Sequence, residues 1–501
     1  MNVIATRGDT RPHAIVIGSG FGGLAAAIRL GARGYRVSVL ERLDAPGGRA
    51  YVHRQDGFTF DAGPTIVTAP FLLDELWALC GQVRDVELVP LDPFYRLRFA
   101  DGSTFAASPD PAKMRAEVAR LAPGDVEGFD SFMRHSAEAC RIGFEQLGDQ
   151  PFDSFMDMVR VAPALLKLGG WKSVYSVVAE HFRDERLRTA FSFHPLLIGG
   201  NPFAASSIYS LISKLEQRWG VHWAMGGTGA LVQGLVRLIE GQGGRLRCNA
   251  HVERITVRDG RATGVLLEGG ETLAAHIVVS NADSATTYRK LLAPEHRKRW
   301  TDAKLDRARY SMSLFVWYFG LDRKYPDVDH HMILLGPRYR GLLTDIFQRK
   351  RLADDFSLYL HRPSATDPGM APPGCDGFYV LSPVPHLQSG TDWIAAAEPY
   401  RQAIARQLDA TVMPGFEKHI ISSRVTTPLD FRDRLESPHG AAFGLEPVLT
   451  QSAWFRPHNR SEEVQGLYLV GAGTHPGAGV PGVLSSAKVL DKVVPHASAY
   501  A

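Results

Sequence analysis

The sequence lacks several features that would assign it to whole classes of protein. No run of about 18 apolar residues occurs in its 501 residues, which argues against a membrane-spanning helix. The four cysteines are far apart, with no CxxC pair, so neither a zinc knot nor a disulfide framework is indicated. The sequence has no large excess of charge of either sign, since it contains 56 basic and 53 acidic residues. This balance argues against nucleic acid as a partner. The polar segment 1–13 contains no apolar signal-peptide core, so we expect a cytoplasmic protein.

Motifs of hydrolases and metalloenzymes are also missing. The sequence contains no HExxH, no GxSxG and no cluster with the spacing of metal ligands. His330 and His331 are adjacent, and neighbouring side chains in a strand point to opposite faces. The sequence therefore predicts no metal site, at these two histidines or elsewhere.

Glycine is abundant, at 49 residues, and is concentrated in two segments. The first segment, Gly18-x-Gly20-x-x-Gly23, follows the apolar run 14–17 and precedes a helical pattern and a second strand that ends at Glu41. The first glycine permits a tight turn, the second lets the backbone approach a pyrophosphate, and the third lets helix and sheet pack closely. The carboxylate of Glu41 can accept hydrogen bonds from ribose hydroxyls, which also disfavours NADP. This pattern predicts a dinucleotide site in a Rossmann-like α/β domain.

Two later segments favour FAD over NAD. Residues 44–49 place a second flexible loop and the cation of Arg49 near the phosphates. Residues 471–482, GAGTHPGAGVPG, leave a strand and enter a helix beginning near Val483, whose N-terminus can stabilise the anionic ring of a reduced flavin. The two glycine-rich segments lie about 450 residues apart. We therefore predict one FAD-binding domain assembled from both termini.

Between these ends the sequence pattern changes from helical to β-rich. Helical patterns dominate from about 111 to 219, and strand patterns dominate beyond 244. We predict a discontinuous FAD-binding domain, an inserted β-sheet domain that binds substrate, and a helical lid that faces a membrane. The FAD-binding domain would comprise 12–75, 222–290 and 460–501. The substrate-binding domain would comprise 76–115 and 291–459, and the helical lid 116–221.

Several motifs carry a resemblance to a known family. The segments IGSGFGGLAAAIRL and ERLDAPGGRAY resemble the glutathione-reductase-like flavoproteins that include amine oxidases and carotenoid desaturases. Longer segments are similar to bacterial-type phytoene desaturases, namely 94–97, 201–209, 226–231, 451–460 and 471–482. The resemblance extends from about Ala14 to Val489. It implies FAD-dependent desaturation of a long isoprenoid hydrocarbon, phytoene, through phytofluene, ζ-carotene and neurosporene toward lycopene. It also implies catalysis at a membrane surface. For the final electron acceptor, oxygen and a quinone are the two alternatives.

The resemblance also implies roles for individual residues. The positions matching the family's flavin site are Gly18, Gly20, Gly23, Glu41 and Arg49 near the start, Val252 at the adenine, and Gly473, Pro481, Gly482 and Val483 at the isoalloxazine. Asp157 and Arg160 would share one face of a helix predicted over 155–168, in a region that could overhang the flavin. They are the candidate proton acceptors. The alternative for this pair is a solvated ion pair on the helix surface.

A hydrocarbon offers no polar group for recognition, so we expect a long apolar tunnel. The segment 161–178 is rich in apolar residues and contains Lys167, Trp171, Lys172 and Tyr175. Aromatic and lysine side chains of this kind anchor helices in a bilayer interface, which predicts peripheral membrane association through this segment. The alternative is that this apolar face packs in the core.

Two other functions remain open. One is an amine or porphyrinogen oxidase of the same fold, and the other is a non-catalytic carrier of prenyl lipids, similar to the Rab escort group. The intact second glycine segment disfavours the carrier. The sequence does not specify how many desaturation steps occur.

Overall fold

The computed structural model describes residues 10–500, and in it both ends of the chain join one sheet. The strands are β1 His13–Ile17, β2 Arg36–Leu40, β3 Val52–Gln55, β4 Phe58–Asp61, β5 Leu88–Pro90, β6 Tyr95–Arg98, β7 Thr104–Ala107, β8 His222–Ala224, β9 Arg245–Arg247, β10 Val252–Arg258, β11 Arg261–Leu267, β12 Thr272–Ala274, β13 Ile277–Ser280, β14 Ser313–Leu321, β15 His331–Leu334, β16 Leu358–His361, β17 Asp376–Val384, β18 Ile420–Thr426 and β19 Leu467–Leu469. The α-helices are α1 Phe21–Ala32, α2 Phe71–Ala78, α3 Pro111–Leu121, α4 Val126–Cys140, α5 Phe155–Lys167, α6 Val174–His181, α7 Glu185–Ser192, α8 Leu211–Trp219, α9 Gly227–Gly241, α10 Ser284–Thr286, α11 Asp302–Arg307, α12 Tyr339–Thr344, α13 Trp393–Thr411, α14 Pro428–Asp433 and α15 Val480–Val493.

The sheet that joins the two ends is parallel, with the order β19-β13-β1-β2-β9. Every residue of β1 is buried, as expected for a central parallel strand covered on both faces. Helices α1 and α15 pack together on this sheet. The guanidinium of Arg29 in α1 lies 2.6 Å from Asp491 of α15 and 2.9 Å from Glu75 of α2. The predicted Rossmann-like domain with contributions from both termini is confirmed.

A second, mixed sheet of seven strands has the order β18-β14-β17-β16-β15-β6-β7. The strand β14, which lies between β18 and β17, is buried along its whole length because both of its faces are covered. Alternate side chains enter two different cores: Phe315, Trp317 and Phe319 pack toward α13, and Leu314, Val316 and Tyr318 pack on the other face. All seven strands lie within 76–115 and 291–459, the segments expected to bind substrate. The exact domain boundaries stay a prediction.

Helices α3 to α8 form the helical region, which lies between β7 and β8 in the sequence. Most of them bury an apolar face, but α5 has no buried residue. Within residues 10–500, no helix is both long and apolar enough to cross a membrane. Because none of its residues is buried, α5 is an exposed element of the helical region.

Candidate active site

The first glycine segment links the end of β1 to the start of α1. Gly18 has φ +87°, a conformation that side chains other than glycine rarely adopt. A Cβ on Gly23 would lie 2.0 Å from the carbonyl oxygen of Gly18, so the third position also requires glycine. Glu41 follows β2 directly, and its Oε2 accepts hydrogen bonds from the Ser19 backbone N–H at 2.9 Å and hydroxyl at 2.6 Å. The loop and the carboxylate are thus held together by hydrogen bonds.

The second glycine segment lies directly against the first, with Asn281 between them. Asn281 follows β13, and its Oδ1 would lie 2.6 Å from a Cβ on Gly22 and 2.5 Å from one on Gly471. A side chain at either glycine would displace the amide. Asn281 was not predicted, although it occupies the carboxyl end of a parallel strand, where ligands bind in sheets of this kind.

A cavity of about 610 Å³ opens from these two loops. Eight of the ten predicted FAD residues line it: Gly18, Gly20, Glu41, Arg49, Val252, Pro481, Gly482 and Val483. Gly23 and Gly473 do not line the cavity, because each lies against another part of the chain. A Cβ on Gly473 would lie 2.6 Å from the hydroxyl of Ser284. These two glycines permit close packing beneath the cradle.

The start of both helices fits a bound dinucleotide. Gly20 and Gly479 cap α1 and α15, so neither helix has a side chain that accepts hydrogen bonds from its first turn. The first turns of both helices border the cavity. Their N–H groups are free to bind phosphate and the pyrimidine end of a flavin. The chain therefore fits FAD at this site.

Arg49 lies partly buried at the cavity wall, where its Nε donates to the carbonyl of Ala442 at 2.6 Å. Burial lowers the pKa of Arg49, and the nearby carboxylate of Asp283 partly offsets this effect. The guanidinium is held by these contacts rather than by a surface ion pair. It supplies a fixed positive group to the site.

Beyond the loops, the cavity is lined mainly by apolar side chains, as predicted for a hydrocarbon substrate. The helical region contributes Phe144, Met158, Val161, Leu165, Leu211, Ile212 and Leu215, and the second sheet contributes Leu314, Ile333, Leu358 and Leu381. The cavity thus extends from the FAD cradle between the second sheet and the helices.

One carboxylate lines this apolar part, that of Glu216 in α8. Its Oε2 accepts a hydrogen bond from the Tyr95 hydroxyl at 2.8 Å and lies 3.3 Å from Nε2 of His194. Burial and the negative charge of Glu216 raise the pKa of Tyr95 well above its usual value, so Tyr95 remains the donor. These three buried residues come from separate elements, and no sequence motif brings them together.

Asp157 and Arg160 lie away from the cavity, on the exposed side of α5. The carboxylate of Asp157 accepts a hydrogen bond from the Ser154 backbone at 3.0 Å and lies 3.3 Å from Arg160, whose side chain is 76% exposed. Their neighbours Met158 and Val161 line the cavity, whereas neither member of the pair does. The structure gives the pair a helix-capping and surface role. As proton acceptors they stay a prediction that the cavity lining does not support.

The exposed apolar surface of the helical region begins before the predicted segment 161–178. It consists of Phe155, Met156, Val159 and Leu166 on α5, with Trp171 just beyond. By contrast, Val174 and Tyr175 of α6 are buried. For α6 the alternative to membrane docking is correct, because its apolar face packs in the core. Helix α5 and Trp171, by contrast, are exposed.

His330 and His331 lie together, so the predicted separation of their rings is wrong. His330 precedes β15, which begins at His331, and the alternation of a strand does not apply to it. His361 of β16 is the register partner of His331, and the rings of all three histidines are in contact.

Comparisons with known proteins agree with this geometry. Residues 21–489 match the family model described as flavin containing amine oxidoreductase. The chain is 53% identical over 492 residues to a phytoene desaturase (neurosporene-forming) of Cereibacter sphaeroides, covering 97% of this chain and 95% of that protein. It is 51% identical over 476 residues to a phytoene desaturase (lycopene-forming) of Pantoea ananas, covering 94% and 97%. The chain belongs to the flavin-containing amine oxidoreductase family and, within it, to the bacterial phytoene desaturases.

This membership makes the protein an oxidoreductase whose cofactor is FAD. It does not support the carrier function that the sequence left open. Solved structures show the same fold at low identity. A putrescine oxidase has 14% identity and a TM-score of 0.64, covering 97% of this chain and 99% of that one. An oxidoreductase from Methanosarcina mazei has 18% identity and a TM-score of 0.64, covering 96% and 100%.

The second glycine loop predicts a dependence of stability on pH. His475 is buried in this loop, where it bonds the carbonyl of Leu147 at 2.9 Å, and burial lowers its pKa to about 4. Below pH 6.5 His475 binds a proton in the unfolded chain but not in the folded chain. The free energy of unfolding therefore decreases as the pH falls toward about 4. Between pH 6.5 and 5 we expect a loss of about 2 kcal/mol from this group.

The variant His475→Gln separates this effect from others, because a glutamine amide can still donate to Leu147. Thermal unfolding followed by flavin fluorescence from pH 7 to pH 5 should show a flatter decline for the variant than for the wild type. Equal slopes would assign the acid sensitivity to other groups.

Proposed function

We propose that the protein desaturates phytoene stepwise, through phytofluene, ζ-carotene and neurosporene toward lycopene. The observation that carries this proposal is the apolar cavity that begins at the FAD cradle and continues between the second sheet and the helices. FAD, when bound, supplies the acceptor for a hydride from an allylic carbon. Relatives of nearly equal identity, 53% and 51%, are named as neurosporene-forming and lycopene-forming. They support phytoene as substrate and leave the last step to experiment.

The reaction also releases a proton, and we infer that Glu216 accepts it. Four other carboxylates line the cavity, and each already binds a backbone N–H group or a cationic side chain. Glu41 binds Ser19, Glu436 pairs with Lys290, Asp430 caps α14 and Asp283 caps α10 beside Arg49. Glu216 instead lies among apolar side chains, with Tyr95 and His194 holding its Oε2. Tyr95 and His194 orient the carboxylate.

Pigment chromatography tests the substrate and the product together. Cells that make phytoene and also express this chain should accumulate neurosporene and lycopene, while cells with an empty vector retain phytoene. Phytoene that persists in both strains contradicts the proposed substrate. Products that stop at neurosporene limit the reaction to the earlier steps.

We also propose that the hydrocarbon enters from a membrane surface through α5. One face of this helix lines the cavity with Met158, Val161 and Leu165, and the opposite face is exposed and apolar. A helix with this distribution can lie in the bilayer interface and border both the lipid and the cavity. Oxygen or a membrane quinone would then reoxidise the cofactor. Turnover under anaerobic conditions with added quinone distinguishes the two acceptors.

Flotation with lipid vesicles tests the docking surface. Leu166→Glu combined with Trp171→Glu should leave the protein at the bottom of the gradient, because both side chains are exposed and apolar. The matched control, Ile394→Glu with Ile421→Glu, changes two exposed apolar residues of the second sheet region and should float like the wild type. Val174 is unsuitable for this test because it is buried. Flotation of both double variants would rule out α5 and Trp171 as the docking surface.

A further inference from the structure

Three buried histidines form a cluster outside the FAD site. His331 and His361 are opposite each other on neighbouring antiparallel strands, which places their side chains on one face. His330 lies just before β15, with its ring centre 4.5 Å from that of His331 and 4.9 Å from that of His361. All three side chains are at least nine-tenths buried.

Each ring has one nitrogen engaged and one free. The Nδ1 of His331 lies 2.7 Å from the Tyr359 hydroxyl and 3.2 Å from Nδ1 of His361, and the Nδ1 of His330 lies 2.7 Å from the Thr366 hydroxyl. The Nε2 atoms of all three rings are buried and have no hydrogen-bond partner. Unpaired buried polar atoms are costly, so three in one cluster call for an occupant.

We propose that His330, His331 and His361 bind one divalent transition-metal ion, with zinc as the first candidate. One ring nitrogen from each histidine lies within 4.8 Å of the other two. Tetrahedral zinc needs nitrogens at about 2.0–2.1 Å from the ion, and so about 3.4 Å from one another. Small ring movements bring the cluster to this spacing. Three protein ligands leave a fourth position for a water molecule.

The surroundings of the three histidines favour the binding of a metal ion over the binding of a proton. All three rings are buried, which favours the neutral imidazole, and a neutral imidazole is the form that binds a metal. Imidazole ligands suit zinc, copper, nickel and iron, whereas calcium and magnesium prefer oxygen. The ring of Trp223 packs 5.0 Å from His330 and 5.3 Å from His361, and its indole N–H lies 3.4 Å from the buried carboxylate of Asp367. Trp223 thus covers one side of the cluster.

The ion would join β15 to β16 at the wall of the substrate cavity. Tyr359, which bonds His331, lines the cavity and also lies 3.0 Å from the hydroxyl of Thr65. Metal binding would therefore fix the His331 ring and, through it, the Tyr359 side chain. The role is structural, as a pin between two strands, and is independent of the identity of the substrate.

Elemental analysis of the holoprotein tests the proposal. The protein is purified without a histidine tag, dialysed against zinc and then against metal-free buffer, and analysed by mass spectrometry for transition metals. We expect close to one ion per chain. His331→Asn and His361→Asn should each reduce this at least tenfold while FAD content stays unchanged. The control His419→Asn changes a histidine that pairs with Asp322 at another strand edge, and it should keep the ion.

X-ray absorption of the zinc-loaded wild type gives a second readout that needs no variant. Imidazole nitrogens at about 2.0–2.1 Å are expected. Fewer than one ion in ten chains after zinc dialysis would overturn the proposal. So would an ion content that both variants retain, which would mark an adventitious ion only.

Discussion

Gly23→Ala is expected to yield a protein that purifies without flavin. A Cβ at this position would lie 2.0 Å from the carbonyl oxygen of Gly18, well inside van der Waals contact, so α1 must move away from the glycine loop. Overpacking of this kind costs about 1–3 kcal/mol or more, and here it acts directly on the phosphate cradle. We expect the ratio of flavin to protein absorbance to fall at least tenfold.

The matched control for this variant is Gly241→Ala. Gly241 ends α9, and a Cβ there would meet nothing within 4 Å. Alanine in a helix is favoured over glycine by roughly 0.5–1 kcal/mol, so this variant should keep its flavin and unfold at a slightly higher temperature. Full flavin content in Gly23→Ala would mean that the loop has more room than the structure shows.

Glu216→Gln is expected to lower kcat by about 10²–10⁴-fold, the range that a general base supplies. Glutamine keeps the size of the side chain and an oxygen that can accept the Tyr95 hydrogen bond, but it does not take up the proton. FAD content and KM should change little. Turnover with phytoene in lipid vesicles, measured over a range of pH, is the appropriate assay.

The competing candidates provide the comparison for this experiment. Asp157→Asn with Arg160→Gln removes a helix cap and a surface ion pair, so we expect turnover near that of the wild type. Tyr95→Phe removes one hydrogen bond to Glu216 and should lower kcat less than Glu216→Gln does. If the double variant on α5 lost turnover while Glu216→Gln kept it, the earlier assignment to Asp157 and Arg160 would be restored.

The FAD cradle could be predicted because its determinants are local in sequence. The apolar run before Gly18, the glycine spacing and Glu41 after the second strand all depend on one βαβ unit, and the structure has β2 at 36–40 as the pattern predicts. The second glycine segment was also evident from its glycines and the helix that follows. Because both segments were predicted to bind the same FAD molecule, their contact in the fold could be predicted as well.

The remaining features depend on tertiary contacts that no local pattern contains. Asn281 acts through its position between two loops from opposite ends of the chain. Glu216, Tyr95 and His194 converge from a helix, a strand and a turn. His361 reaches His331 through strand register, and the boundary of β15 decided where His330 points. For α5 and α6, apolar periodicity alone could not distinguish a face that packs in the core from one that is exposed.

The position of β19 has a consequence for biosynthesis. The strand β1 ends at residue 17, whereas β19, which lies at the edge of its sheet, and α15, which packs on α1, begin at residues 467 and 480. At roughly 5–20 residues per second, about 20–90 seconds of translation separate them on the ribosome. Throughout this time the nascent domain has an open sheet edge and an uncovered face of α1. Chaperones therefore have a long interval in which to bind it, and cofactor loading must wait until β19 and α15 have been synthesised.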